Sequence, residues 1–214
     1  MRIMLIPVLL AMAGCVVNTQ PNGAPAEERR GSEHRHDAPR HGSDDGYGGA
    51  HSIDFFQPDS AEASSEWSSS YRVAYTIDGS GMPPNFDPDD AHDKYSSNNH
   101  WTTEDGDIEG AWARYSFDEP RTIDTFLMWN HRSTQPPAYS EGYAVTLFDL
   151  EFFDAEGQRL GGLTDQTAKG DTQTAQVYTF DTMHQVSSVL FTIRKNDGER
   201  RVTGLAEVGF GRSR

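Results

Sequence analysis

Between Tyr71 and Phe210 no long stretch repeats apolar residues at helical spacing; short alternating or continuously apolar runs recur instead, each closed by Gly, Asp, Asn or Pro. Tyr71–Ile77 ends at Asp78-Gly79, and Ala111–Phe117 alternates up to Asp118-Glu119-Pro120. Ile123–Trp129 reads as a buried strand, and Val145–Phe153 runs into a hairpin-like Asp154-Ala155-Glu156-Gly157 turn. Ala175–Phe180, Val186–Arg194 and Gly204–Phe210 supply the last strands. Many short strands separated by turn signals predict an all-β domain, a sandwich or a barrel, over residues 51–214. Such a length buries a sizeable core without disulfides.

Charge and cysteine content narrow the functional classes. The 214 residues carry 18 Lys+Arg against 33 Asp+Glu, a formal net charge of −15. Nucleic-acid binders need basic surface to displace counterions from phosphates, so a nucleic-acid partner is not expected. The single cysteine rules out an internal disulfide and a multi-cysteine zinc site. The serine-hydrolase elbow, the zinc-protease helix motif, phosphate-binding glycine loops and dinucleotide fingerprints are all missing, and the chain reads as no enzyme. Glu104, Asp105, Asp107 and Glu109 crowd around Gly106 and read as a solvated turn rather than a pair of glycosidase carboxylates.

The hydrophobic fraction is low, 35%, and residues 16–50, beyond an apolar start, are especially poor in apolar side chains. Met1-Arg2 and the apolar run Ile3–Ala13 form a signal peptide over residues 1–14, too short to span a bilayer. Met12-Ala13-Gly14-Cys15 resembles the lipobox of bacterial lipoproteins, departing from it at Met12. The resemblance implies cleavage before Cys15, lipidation of Cys15, and, with Val16 rather than Asp next, a lipid anchor in the bacterial outer membrane. A plain secreted or periplasmic protein is the alternative. Residues 15–50 have almost no apolar side chain after the first three and are expected to be a disordered tether. His34, His36, His41 and His51 lie in or beside it; a solvated linker and a metal-sequestering tract are both open readings.

The folded part carries a family resemblance in its ordered motifs. Asp78-Gly79, Trp101, Ala111-Trp112-Ala113-Arg114-Tyr115-Ser116-Phe117, Ile123 and Ala206-Glu207-Val208-Gly209-Phe210-Gly211 follow one another as in the discoidin, or F5/8 type C, domain. That domain belongs to the galactose-binding-like superfamily, with family 32 carbohydrate-binding modules as close relatives. The resemblance implies a β-sandwich jelly roll with ligands on the loops at one end. The departure is Ser80–His100, an acidic insertion between Asp78-Gly79 and Trp101 that is expected to be a long surface loop.

By the same resemblance Asp78 and Glu207 match a structural calcium site. Two carboxylates plus backbone carbonyls suit a hard cation; alternatively Asp78 forms an Asx turn and Glu207 accepts backbone hydrogen bonds. Two loops, 130–139 and 195–201, are expected near each other at the ligand end. His131, Arg132, Tyr139, Arg194 and Asn196 are the ligand-binding candidates, because such side chains read sugar hydroxyls. Trp101, Trp112 and Trp129 read as core. The expected function is a lipoprotein displaying a non-catalytic module for a glycan or other extracellular ligand; a structural or protein-interaction module of an envelope complex is the alternative.

Overall fold

The computed structural model describes residues 53–133 and 142–214. Cys15, the signal peptide, the tether histidines and Tyr139 lie outside the described residues. Eight strands form one antiparallel hydrogen-bonded network: β1 (Ile53–Phe56), β2 (Ser60–Ala63), β3 (Trp101–Thr102), β4 (Trp112–Asn130), β5 (Val145–Phe153), β6 (Arg159–Thr167), β7 (Gln176–Asn196) and β8 (Gly204–Ser213). The order is β1-β8-β4-β7-β5-β6, with β2 on β4 and β3 on β8.

Two long strands turn this network into a sandwich. The first part of β4, Trp112–Ser116, lies between β2 and Ser188–Thr192 of β7. Its last part, Thr125–Asn130, lies against β8, while Thr125–Met128 also pairs with Gln176–Thr179 of β7. Register shifts between Ser116 and Thr125 carry the strand from one layer to the other. Asp118-Glu119-Pro120, read from sequence as a turn, is thus a bulged stretch inside one strand. Ala175–Phe180 and Val186–Arg194 are likewise parts of the single strand β7. Tyr71–Ile77 is not a strand: it holds a 3₁₀ turn, Val73–Thr76, whose Val73 and Thr76 are buried three residues apart on one side.

The core lies between the layers. Phe126 of β4 packs against Phe148 of β5 at 5.9 Å and Phe191 of β7 at 6.1 Å, and Phe117 meets Phe210 of β8 at 5.4 Å. Trp101, Tyr115, Ile123 and Val208 complete it, all fully buried. The β5–β6 hairpin closes as its residues dictate: Asp154 Oδ1 accepts from the backbone N–H of Glu156 and Gln158, and Gly157 takes φ +76°.

The insertion does not stand off as a loop. It lies on the outer face of the layer built from the end of β4 and β8, where Leu127, Trp129 and Ala206 form a second apolar cluster under Phe55, Met82 and Phe86. Phe86 meets the Trp129 ring edge-on at 5.5 Å, and the Trp129 indole N–H donates to the Asp90 carbonyl at 2.9 Å. The Phe55 ring lies against Gly209, where a Cβ would come within 2.0 Å of it; the closing glycines of β8 make that approach possible.

Candidate functional site

The loop 195–201 singled out from sequence meets Gly142–Ala144, the segment just before β5, at one end of the sandwich. The backbone N–H groups of Asp197 and Glu199 donate to the carbonyls of Ala144 and Gly142, and the Thr203 hydroxyl donates to the Tyr143 carbonyl. Two distant segments join them. Trp67 follows β2, with its N–H on the Thr102 carbonyl, and Tyr95 comes from the insertion, with its N–H on the Arg132 carbonyl.

Together they line a cleft of about 90 Å³ formed by Trp67, Tyr95, Thr102, Tyr143, Arg201 and Val202. A more open recess of about 350 Å³ continues past Trp67 to Glu104 and Asp105. Trp67 is 42% exposed, one of the few large apolar side chains left in solvent among the described residues. The Arg201 guanidinium lies 5.4 Å from its ring centre and pairs with Asp105 at 3.2 Å. Tyr71 and Tyr95 stack in parallel at 5.3 Å, which fixes the Tyr95 wall. Burial pushes the Tyr95 hydroxyl well above its ordinary range, so it stays a neutral donor.

The structure places the sequence candidates elsewhere around this cleft. His131 is fully buried behind it, packed on Tyr95 at 4.7 Å and Tyr143 at 5.3 Å. Arg132 donates from its guanidinium to the His92 carbonyl, tying the end of β4 to the insertion. Asn196 is turned inward: its amide donates to the Glu199 and Val202 carbonyls and its oxygen accepts from Gly198 N, so it shapes the 196–202 loop. Arg194 stands half-exposed on β7 and pairs with Asp149 at 3.4 Å. Trp67, Tyr95, Tyr143 and Arg201 line the cleft in their stead. The signal for Trp67 was available, since a large aromatic in the serine-rich stretch Ser64–Ser70 has no apolar neighbours to pack with.

Asp78 and Glu207 come close together on the outer face of the layer built from β8 and the end of β4. Asp78 Oδ1 accepts from Ser80 N at 2.9 Å, an Asx turn. Glu207 is fully buried on β8; its Oε1 accepts from the Gln57 amide, and its Oε2 is buried with no partner. Burial first, and then the Asp78 charge, push the Glu207 carboxyl up to about 9. An orphaned carboxylate oxygen facing a second carboxylate fits a cation. Among the described residues no three His, Cys, Asp or Glu side chains converge on a metal position, so further oxygens would come from the backbone or solvent. A separate recess of about 410 Å³ opens beside Asp78, lined by Gln57, Met82 and Pro83 and by the rings of Phe55 and Phe86, which are turned onto Trp129.

No family model matches the chain, and no curated protein sequence does. Solved structures do match. A family 32 carbohydrate-binding module of C. perfringens NanJ, in complex with galactose, aligns at 14% identity and TM-score 0.52 over 72% of this chain and 93% of its own. The domain has the discoidin-like β-sandwich fold. The lectin domain of lectinolysin, complexed with Lewis B antigen, matches at 15% identity and TM-score 0.50, covering 72% of this chain and 93% of its own. The chitosan-binding module 1 of a chitosanase/glucanase from Paenibacillus sp. IK-5 matches at 14% identity and TM-score 0.50, over 72% and 95%. The discoidin-like jelly roll expected from the motif order is therefore the fold, and the insertion is laid on top of it.

Proposed function

We propose that this discoidin-like domain is a non-catalytic carbohydrate-recognition module whose ligand stacks on Trp67. The observation that carries the reading is the half-exposed Trp67 indole beside Tyr95, Tyr143 and Arg201. The C–H face of a pyranose is apolar and buries well on an aromatic ring, while hydroxyls need fixed donors and acceptors. Thr102, Arg201, Glu104 and Asp105 supply both kinds around the ring. Ligands named for the structural neighbours, galactose, Lewis B antigen and chitosan, are all saccharides. The test is a glycan screen with the full chain, followed by titration of any hit with Trp67→Ala. Saturable binding that Trp67→Ala abolishes, at an unchanged melting temperature, supports the reading. Silence across a broad panel transfers the cleft to a protein partner in an envelope complex.

Display at a membrane is part of the same proposal. Lipidation at Cys15 of a bacterial outer-membrane protein is supported by the Met12-Ala13-Gly14-Cys15 stretch; incorporation of labelled palmitate that Cys15→Ser abolishes is the expected result. Calcium, if bound, would be held by Glu207 and Asp78, where it would supply structural support beneath the insertion. Calcium should then raise the melting temperature of the wild type and leave Glu207→Gln unmoved.

A further inference from the structure

His92, His100 and His131 are all fully buried in one cluster between the insertion and the end of β4. Their ring centres are 4.9 Å apart for His92–His100 and 5.0 Å for His100–His131. Nδ1 of His92 faces the Asp93 carbonyl at 2.8 Å, and Nδ1 of His100 faces Asn99 Oδ1 at 2.7 Å. Nε2 of both rings, and both nitrogens of His131, are buried with no hydrogen-bond partner. Ordinary cores do not leave so many polar atoms unsatisfied side by side. The seat is also specific: Gly81 holds φ +88°, and a Cβ there would meet His92 Cε1 at 2.6 Å.

The charged and titratable surroundings favour neutral rings. The insertion contributes Asp93, beside His92, and Tyr95. The end of β4 contributes the Arg132 guanidinium, whose Nε is also buried and unpaired. Tyr143 comes from the segment before β5, and Tyr71 backs Tyr95. From the loop before β7, the Gln173 carbonyl accepts from His92 N, and the Asp171 carboxylate accepts from Ser133 N. A proton on any of the three rings therefore meets burial first, then its neighbouring imidazoles or Arg132; backbone hydrogen bonds at Asp93 and Ser80 and the Asp93 charge offset part of this at His92, and a backbone hydrogen bond at Asn99 offsets part at His100.

We propose that this cluster is an acid-operated latch: protonation of the imidazoles detaches the insertion, residues 80–100, from the sheet while the sandwich stays folded. The sign follows from linkage. A solvated histidine protonates near pH 6.5, whereas burial, then the charge of His92, hold His131 at about 3. The opened form therefore binds more protons than the closed form, and opening gains as pH falls from about 6.5 toward the closed-state values. Each histidine contributes up to about tenfold per pH unit to the opening equilibrium. Tyr95 packs on His131 and also walls the cleft, so opening dismantles one side of it. That consequence rests on the glycan reading; the latch itself is read without ligand.

The experiment is hydrogen exchange of the full chain at pH 7 and pH 5, corrected for intrinsic rates. Peptides covering 80–100 should lose protection by about a hundredfold or more at pH 5, while those of β5 and β7 keep theirs. His131→Phe, which removes one proton site, should shrink that loss about tenfold. Equal protection of 80–100 at both pH values overturns the latch, as does loss of protection everywhere at once. Should His131→Phe fold poorly, proton NMR of the wild-type imidazoles decides: the buried rings should titrate together, at the midpoint of the exchange change. Titration near the ordinary value without any exchange change refutes the proposal.

Discussion

Residues 126–129 face two different interiors. Phe126 and Met128 point into the sandwich, where the contacts are rings and aliphatic chains held by strands on both sides. Leu127 and Trp129 point outward and are buried just as completely, but under the insertion together with Ile53 and Phe55 of the short edge strand β1. That cover is held by single hydrogen bonds to carbonyls, by Met82 and Phe86, and by neutral histidines with unsatisfied nitrogens. Equal burial thus hides unequal permanence. The first interior is closed by ladders that break only with the fold; the second is closed in part by a segment whose release leaves the ladders intact.

The comparison predicts where mutations spread. Phe126→Ala, which leaves a cavity among Phe148, Phe191 and Phe210, should cost about 3–5 kcal/mol in urea unfolding, with one cooperative transition. If exchange rose only in 80–100, the division into two interiors would be wrong. Gly81→Ala adds both a clash with His92 and a strained backbone, of the order of 1–3 kcal/mol. Its effect should appear as exchange in the insertion with little change in the urea midpoint. Trp129→Phe removes the indole donor from the Asp90 carbonyl and should cost about 1 kcal/mol, again confined to the insertion. Arg201→Ala, on the exposed rim of the cleft, should leave the melting temperature unchanged and alter glycan affinity alone. A shift in stability there would mean that the rim belongs to the scaffold.

Much of the scaffold was legible because its strands carry the alternation that burial on one face imposes. Val145–Phe153 was read from sequence with the bounds it has in the structure. Asp118-Glu119-Pro120 broke β4 in two on paper because bulges and turns favour the same residues. β6 was missed for the opposite reason: Arg159–Thr167 sits at a sheet edge, largely exposed, and has little apolar pattern to show. The cleft was half legible. The loop that carries Arg201 was named, but the side chains chosen for their polarity, His131 and Asn196, are buried in the described structure. Polarity marks a loop; whether a polar side chain turns outward depends on partners such as Tyr95 and Val202 that sequence distance conceals. The insertion read as solvated because its aspartates are conspicuous, yet Asp87 and Asp90 spend their carboxylates on the backbone N–H groups of Asp89 and Asp87.

The pairing of β1 with β8 has a mechanical meaning. Ile53 lies beside Ser213, whereas the cleft adjoins the other end of β8, where Thr102 pairs with Gly204 and Val202 lines the wall. A load carried from the polypeptide entering at Ile53 to a ligand gripped at the cleft runs along the axis of β8. The rungs between β1 and β8 would share such a pull in shear rather than peel apart one by one.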